Sequence, residues 1–421
     1  MRTFTIIWIG QLASTIGSYM TEFALSLWAW ELTESATALA LTNFFFILPR
    51  IPMTLFAGII VDRFNRKQLM MLGDTVAALS TFAILLLYLT NSLQIWHLYV
   101  VSGINGGFSE IQQLAYSASL SQIVPSQHYT RATSMGSMIH YGAAIFAPAL
   151  AGSLYPLIGL LGILFVDLGT FGIAIASLLF LHIPQPSPQP HAEKIWQQLT
   201  FGLRYILTTS GLTGLLIINT LFWFAHDLGG ALYTPMILAR SGGDSQVLGT
   251  VFAAAGVGGV TGAIILSTWG GFKRRIHGML LGFMGAGIAK TIFGFGNSAL
   301  VWIPAQFSSS LNFPLLSSSE KAIWLAKVPP EIQGRVFATS SLALQVVSAV
   351  AALLAGFLAD SLFEPAMMPG GFLSPVFGTI FGTQKGSGIA LLYIVTSMSL
   401  FFIGLSGYGM RSLQQVEKNV G

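Results

Sequence analysis

The sequence contains no cysteine and very little charge. The absence of cysteine among its 421 residues excludes disulfides and thiolate metal sites. Asp, Glu, Lys and Arg together make up 8% of the chain, whereas a soluble domain averages roughly 25%. Because so few charges cannot cover a surface that faces water, most of the outer surface must face lipid. The composition therefore excludes an ordinary soluble domain.

Hydrophobic residues make up 53% of the chain, and the mean hydropathy is +0.72. They are concentrated in long apolar runs. These runs are too long for strands, and lipid cannot satisfy backbone polar groups, so each run is predicted to be a helix. We interpret the first run as helix 1 rather than a signal peptide, because no small-residue cleavage site follows it. The result is an all-α membrane protein with twelve predicted transmembrane helices, at roughly 4–32, 36–61, 68–90, 95–123, 132–157, 160–182, 211–239, 246–269, 277–297, 299–326, 336–362 and 387–410.

Lysine and arginine are distributed unevenly between the connecting segments. With the N-terminus inside, fourteen basic residues fall on the inner side, and only Arg240 and Lys385 fall on the outer side. This asymmetry predicts that both termini are cytoplasmic. The basic residues are scattered between apolar runs along the whole chain, so the net charge of +4 does not indicate a nucleic-acid partner.

The chain is predicted to divide into two halves. Its least hydrophobic internal stretch, 183–199, begins with alternating prolines that favour an extended linker, and 193–209 is amphipathic. We therefore predict an N-terminal six-helix bundle at 1–183, a cytoplasmic linker with an amphipathic helix at 184–210, and a C-terminal six-helix bundle at 211–421. A second stretch, 364–385, is rich in Gly, Pro and Phe and is predicted to be a non-helical external loop.

An internal repeat supports the two halves. Four pairs of identical residues are each separated by 204 positions, which fits two six-helix halves that repeat in the same order. The pairs are Pro125 and Pro329, Arg131 and Arg335, Gly152 and Gly356, and Gly58 and Gly262.

The most specific motif lies between the second and third predicted helices. It consists of Gly58, Asp62, Arg63, Arg66 and Lys67 in the order G-x-x-x-D-R-x-x-R-K. A glycine permits close approach of a neighbouring helix, and an aspartate can lie against the positive end of a helix dipole. The basic side chains can pair with carboxylates or carbonyl groups. A loop that merely obeys the charge asymmetry would account for the three basic residues, but not for Gly58 or Asp62.

This motif resembles the signature of the major facilitator superfamily. The resemblance implies twelve helices in two pseudo-symmetric bundles. It also implies that the motif acts as a conformational latch on the inner side, where Asp62 meets the start of the eleventh helix near 334–336. A finer similarity, to the drug:proton antiporter branch of macrolide-efflux-like and siderophore-export-like permeases, involves Gly10-Gln11, Ser14, Gly17-Ser18, Phe23-Ala24-Leu25 and Ala147–Gly152. It implies proton-coupled efflux.

Ionisable residues inside predicted helices need an explanation, because a charge in the bilayer core costs several kcal/mol. Spacings of four, three and four place Gln11, Thr15, Ser18 and Glu22 on one face of the first helix, which we expect to line a central cavity. A buried carboxylate there can take up a proton. Addition of the 204-residue offset to position 22 leads to 226, where His226 is followed by Asp227 and lies near Trp223.

The repeat symmetry would place Glu22 and the His226/Asp227 pair across the cavity from each other. We predict a coupling or substrate role for these residues, and the alternative is a fixed salt bridge or a polar helix contact. Further candidates are Glu110, which shares a helix face with Gln113, and Glu320, which points away from its neighbour Lys321. Arg50 is predicted to pair with one of these acids.

Other charged residues are predicted to be structural. Asp167 and Lys290 lie on helices that are usually peripheral, where we expect a structural pair or a side chain that snorkels to the interface. Asp74 is assigned to the cytoplasmic charge cluster around Arg66. Asp360 is placed near the outer surface, where it needs no special role.

The sequence contains no catalytic set, no metal-ligand cluster and no nucleotide-binding loop, so we predict neither an enzyme nor a cofactor. Energy would come from a proton or other ion gradient. The predicted function is proton-coupled efflux of small amphipathic compounds, either drugs or a secreted metabolite such as a siderophore. The protein would act as a monomer in the lipid bilayer of the cell membrane. The alternatives are an uptake carrier for a polar solute and a non-transporting scaffold or sensor with the same fold.

Overall fold

The structure, a computed structural model, describes residues 2–124, 129–179, 195–209, 211–329 and 332–416. These residues form helices and turns with no strand among them, so the all-α prediction is confirmed. The helices are α1 (Arg2–Thr33), α2 (Ala36–Arg63), α3 (Arg66–Leu89), α4 (Ile95–Ile123), α5 (Tyr129–Leu179), α6 (Ile195–Thr208), α7 (Leu212–Ser241), α8 (Ser245–Trp269), α9 (Arg275–Phe295), α10 (Ala299–Leu311), α11 (Phe313–Lys327), α12 (Gln333–Leu358), α13 (Glu364–Met367), α14 (Ser374–Phe381), α15 (Ser387–Gly407) and α16 (Arg411–Gln415).

Eight helices in the described part of the chain are long and apolar enough to cross a membrane. Two of them expose large apolar side chains, with Leu79 at 61% and Leu157 at 78% exposure. Such surface is costly in water but not in lipid, so the chain is a multi-pass membrane protein. The count of twelve spans and the cytoplasmic termini stay predictions.

Two helix boundaries follow from single residues. The predicted helices at 132–157 and 160–182 are joined in α5, which breaks at Gly159, where φ is +63° and only glycine is unstrained. The helix predicted at 299–326 is present but interrupted at Asn312, where α10 and α11 meet. Pro314 lies in the first turn of α11 and has no backbone N–H to continue the hydrogen bonds of α10.

The prediction that 364–385 is non-helical is also wrong. A π-helical segment, Ala359–Phe363, follows α12, and the stretch then contains the short helices α13 and α14. Pro365 and Pro375 lie in the first turns of these helices, where a missing N–H breaks no helical hydrogen bond. The prolines that suggested a loop therefore begin helices instead.

The chain folds into two compact units. The first comprises Met1–Thr33, Leu41–Ala192 and Ser245–Ala253. In this unit α1 packs along α5, and the contact depends on Gly10 and Gly17. A Cβ at Gly10 would overlap the Ser177 hydroxyl, and one at Gly17 would overlap the Thr170 hydroxyl. The glycines of the first predicted helix therefore permit close helix packing.

The second unit comprises Glu34–Ala40, Glu193–Asp244 and Ala254–Gly421. Its core joins α7, α9, α11, α12 and α15 around Phe222 and Phe283, whose rings stack with centroids 3.7 Å apart. Gly262 of the sequence repeat lies in a tight contact of this unit, because a Cβ there would overlap the Leu311 carbonyl oxygen. The glycine is therefore required by the packing of α8 against α10.

The prolines of the predicted linker, Pro184 to Pro190, lie outside the described residues, but the predicted amphipathic helix is present as α6. Gly202 and Ile206 are buried, whereas Leu203 and Leu207 are exposed. A Cβ at Gly202 would overlap the Thr339 hydroxyl of α12, and the Arg335 guanidinium lies 5.4 Å from the centre of the Phe201 ring. This helix therefore packs against α12 by one face.

Asp360 caps the first turn of α2, although the sequence suggested no role for it. Its carboxylate accepts hydrogen bonds from the backbone N–H groups of Ala36 and Thr37, at 3.2 and 2.8 Å, and from the Ser35 hydroxyl at 2.6 Å. The first N–H groups of a helix have no partner within the helix, and a negative charge there is favourable. Asp360 thus joins the end of α12 to the beginning of α2.

Replacement of Asp360 by alanine is expected to lower the free energy of unfolding by about 1–2 kcal/mol, because it removes the cap of α2. Thermal unfolding of the purified protein in detergent would measure the loss. The matched control is Ser361→Ala, which changes an exposed residue in the same turn. Equal melting temperatures for the two variants would contradict the capping role.

The two basic residues predicted on the outer side are both engaged. Arg240 donates to the carbonyl oxygens of Gly296 at 2.7 Å and Phe381 at 3.0 Å, and Lys385 pairs with Glu34. Through these contacts each cation holds a connecting segment in place. They give a structural reason for two basic residues on the side where lysine and arginine are otherwise rare.

Candidate functional site

Asp74 lies inside the first unit and joins three helices. It is 2% exposed, and its carboxylate accepts hydrogen bonds from Gln11 Nε2 at 2.9 Å and from Gln112 Nε2 at 2.7 Å. The assignment of Asp74 to the cytoplasmic charge cluster is therefore wrong. Arg66 of that cluster donates instead to the Ala118 carbonyl oxygen at 2.7 Å. The site residue Gln11 is thus committed to a buried contact.

Asp167 is a second buried acid of the same unit. It is 1% exposed, and the hydroxyls of Thr21 and Thr81 donate to its Oδ2 at 2.8 and 2.9 Å. Its Oδ1 has no hydrogen-bond partner among the described residues. The carboxyl therefore neither reaches the interface nor forms an ion pair with a described residue, and it joins α1, α3 and α5.

Arg50 pairs with Glu110, as the sequence predicted for one of the acids. Its Nε and Nη2 donate to Glu110 Oε2 at 3.0 and 2.8 Å, and the Thr54 hydroxyl donates to Oε1 at 3.2 Å. Both side chains are partly buried, with 30% and 18% exposure. One turn earlier, Gly106 of α4 lies directly against the Phe46 carbonyl oxygen of α2. That close crossing places the two charged groups opposite each other.

The Arg50–Glu110 pair is expected to show strong coupling in a double-mutant cycle. Arg50→Met should destabilise the protein by about 2–3 kcal/mol, because it leaves a partly buried carboxylate without its cation. Arg50→Met combined with Glu110→Leu should recover most of this loss. The measurement is thermal unfolding in detergent, with Arg63→Met, at an exposed position, as the control. Additive effects of the two single changes would show that the pair contributes nothing.

The other predicted cavity residues of the first unit keep contact with open space. Glu22 and Gln113 are exposed, and Ser18 is half-buried. Tyr19 lies within electrostatic range of both Glu22 and Arg50. The first unit thus presents one carboxylate, Glu22, that is not held by a hydrogen bond from another helix among the described residues.

His226 and Asp227 form a pair in the second unit. His226 Nδ1 lies 3.0 Å from Asp227 Oδ1, and the two side chains are 20% and 23% exposed. Aromatic rings surround the imidazole, with centroids 6.0 Å away for Phe222, 5.0 Å for Trp223 and 5.1 Å for Phe313. The pair therefore places a carboxylate and an imidazole beside the flat faces and edges of aromatic rings.

Two further charged groups lie in this unit. Glu320 accepts a hydrogen bond from Asn219 Nδ2 of another helix, α7, at 2.6 Å. Lys290 is only 6% exposed, and its Nζ lies 5.8 Å from the centre of the Tyr393 ring. It is within electrostatic range of Asp227 and His226. Lys290 is therefore not snorkelling, contrary to one of the two expectations.

The predicted latch is described in part. The surroundings of Gly58 and Asp62 lie outside what the structure describes, so the contact of Asp62 with the start of the eleventh helix stays a prediction. Among the basic members Arg63 is exposed, and Lys67 Nζ donates to the Leu179 carbonyl oxygen at 3.0 Å. The carbonyl contacts of Lys67 and Arg66 fit the prediction that the basic side chains of the motif pair with carboxylates or carbonyl groups.

Sequence reasoning missed the interior positions of Asp74 and Lys290 and the hydroxyl contacts of Asp167. The signal that could have found them was the cost of a single ionisable residue within an apolar run. Their partners come from other helices, 38 to 146 residues away for the two acids, so spacing along one helix could not reveal them.

Long apolar helices that enclose acids and cations within each unit define a multi-pass membrane protein. The family model of the Major Facilitator Superfamily matches residues 7–352. The chain belongs to this superfamily, and it is a transporter rather than an enzyme.

Relatives of known name are distant but match over most of their length. The chain is 23% identical over 361 residues to macrolide efflux protein A of Streptococcus pyogenes, covering 85% of this chain and 89% of the relative. It is 22% identical over 324 residues to the multidrug efflux pump Tap of Mycolicibacterium fortuitum, covering 75% and 78%. The enterobactin exporter EntS of Escherichia coli is 23% identical over 240 residues, which is 56% of each chain.

Solved transporters share the fold. A POT family transporter in complex with 5-aminolevulinic acid has a TM-score of 0.73 at 12% identity, covering 99% of this chain and 97% of that chain. The nucleoside transporter NupG has a TM-score of 0.67 at 12% identity, covering 98% of this chain and 100% of that chain. At such identities the likeness shows the fold alone.

Proposed function

We propose that this protein is a secondary active transporter of the cell membrane that exports small amphipathic compounds in exchange for protons. The observation that carries the proposal is the half-buried His226–Asp227 pair among the rings of Phe222, Trp223 and Phe313. A carboxylate in such a place can exchange a proton, and flat apolar rings suit the apolar part of a substrate. The efflux functions in the names of several relatives favour export over uptake.

In the proposed cycle, Asp227 binds a proton in one state and releases it in the other. The charge of Asp227 beside His226 changes with the proton, and this change shifts the balance between the two conformations. Glu22, the exposed carboxylate of α1, is proposed as a second proton carrier. Alternating access then couples the export of the substrate to the entry of protons, and no cofactor takes part.

The experiment that tests the proposal is flux in liposomes containing the purified full-length protein under an imposed pH gradient. The compounds are a macrolide, a cationic dye and a catecholate siderophore, with a sugar and an amino acid as polar comparisons. We expect at least one amphipathic compound to accumulate against its gradient and to stop when a protonophore is added. Liposomes without protein are the control. Flux of only the polar compounds would favour the uptake alternative, and flux unaffected by the pH gradient would refute proton coupling.

A further inference from the structure

Lys290 of α9 is a cation enclosed in an apolar part of the second unit. It is 6% exposed, and within the described residues its Nζ makes no hydrogen bond and no ion pair. Transfer of an ammonium group out of water without a partner costs several kcal/mol, so such groups are almost always paired. The position therefore lacks an acceptor.

The acid within electrostatic range of Lys290 is already paired with a histidine. Asp227 is within electrostatic range of Lys290, but its Oδ1 lies 3.0 Å from His226 Nδ1. No carboxylate of the described chain lies within 4 Å of the Lys290 ammonium. Asp227 thus lowers the cost of the buried cation from a distance without satisfying its donors.

The Lys290 ammonium lies over the face of an aromatic ring. Its Nζ is 5.8 Å from the centre of the Tyr393 ring, a cation–π contact, and the Tyr393 hydroxyl is buried with no hydrogen-bond partner among the described residues. A ring face attracts a cation but accepts no N–H···O hydrogen bond, so the ammonium can still donate to a negatively charged oxygen. Because His226 and Asp227 keep 20% and 23% exposure, the region has a route to open space.

We propose that Lys290 binds an anionic oxygen of the transported compound. The ligand class is an amphipathic molecule that carries a carboxylate or an acidic phenol. Its charged oxygen would accept a hydrogen bond from Lys290, and its apolar part would lie against the nearby rings of Trp223 and Phe313. This inference rests on the proposed function, because it names the substrate class of the same site.

Three probes with one fluorophore and different charges test the site. They are dansylglycine, which is negative at neutral pH, its neutral amide, and dansylethylenediamine, which is positive. Fluorescence titration of the purified full-length protein in detergent measures their affinities. We expect dansylglycine to bind roughly tenfold or more tightly than the amide, as expected for one charge-assisted hydrogen bond, and the cation to bind most weakly.

The variant Lys290→Met keeps the length of the side chain and removes its charge. It should bind dansylglycine and the amide with equal affinity, whereas Lys290→Arg should keep part of the preference. The matched control is Lys321→Met, at an exposed lysine of the same unit, which should keep the full preference. The melting temperature of Lys290→Met should equal or exceed that of the unmodified protein, because an unpaired buried charge is removed.

An unmodified protein that binds none of the probes, or that prefers the neutral or positive one, would overturn the proposal. So would a preference for the anion that survives Lys290→Met. The liposome flux assay separates this result from the proposed function. Proton-driven flux of a compound without a negative charge, unchanged in Lys290→Met, would refute the anion site but support the proposed exporter. Binding of the anion at Lys290 without any flux would support the anion site but refute the proposed exporter.

Discussion

The variant Asp227→Asn is expected to lose accumulation of substrate driven by a pH gradient, down to the level of liposomes without protein. Asparagine has nearly the shape of aspartate but cannot take up a proton at this position. The half-buried pair with His226 and the surrounding rings would remain, so substrate binding should survive. The proton movement that drives accumulation would be lost.

Two assays in the same liposomes make this prediction specific. Net accumulation under a pH gradient requires a proton to bind and dissociate in each cycle. Exchange of labelled for unlabelled substrate at equal pH requires only that the loaded protein changes conformation. We expect Asp227→Asn to fail in the first assay and to retain the second. Loss of both would indicate a folding or binding defect instead.

The control variant is Asp244→Asn, which makes the same chemical change at an exposed position of the same unit. It should behave as the unmodified protein in both assays. Glu22→Gln extends the series, because it tests whether the exposed carboxylate of α1 carries a second proton. Normal accumulation by Asp227→Asn would show that the proton is carried elsewhere, and the proposed cycle would be wrong.

The variant Gly106→Ala is expected to destabilise the protein by about 3 kcal/mol, at the upper end of the usual cost of overpacking. The added Cβ would overlap the Phe46 carbonyl oxygen and lie 2.8 Å from its carbonyl carbon. Backbone atoms of α2 cannot rotate out of the way as a side chain can, so α2 and α4 must move apart. That movement would also separate Arg50 from Glu110, which lie one turn further along.

The next residue of α4 provides the matched control. Gly107 is also buried, but a Cβ there would lie 3.6 Å from the Pro49 Cβ, an ordinary contact distance. Gly107→Ala should therefore be neutral or should stabilise the helix by about 0.5–1 kcal/mol through its better helix propensity. Thermal unfolding in detergent measures both variants. Equal melting temperatures would show that α2 and α4 do not approach closely at Gly106.

Some parts of the candidate site could be predicted from the sequence. The presence of Glu22, Asp227 and Glu110 inside apolar runs marked them as residues that need a partner or a function. Arg50 was predicted to pair with an acid, but several acids were possible. The choice of Glu110 depends on where α2 crosses α4, and that crossing is determined by the contact at Gly106.

Other parts could not be predicted, because they depend on several helices at once. Asp74 looked like a member of a surface charge cluster, since Arg66 and Lys67 are its neighbours along the chain. In the structure it is turned inward to amides from α1 and α4. Asp360 looked like an ordinary surface residue, and its role as a helix cap became visible only when the beginning of α2 was placed beside it.

The sequence by itself determined that this protein is helical, that it lies in a membrane and that it belongs to a family of transporters. Those conclusions follow from local properties, because lipid forces each apolar run to satisfy its own backbone hydrogen bonds. Only the tertiary structure decided which charges meet. It separated Asp74 and Asp167, which bind amides and hydroxyls, from Lys290 and Asp227, which share a region without full compensation. The reason is that the free energy of a buried charge depends on its neighbours in space, and these come from distant parts of the chain.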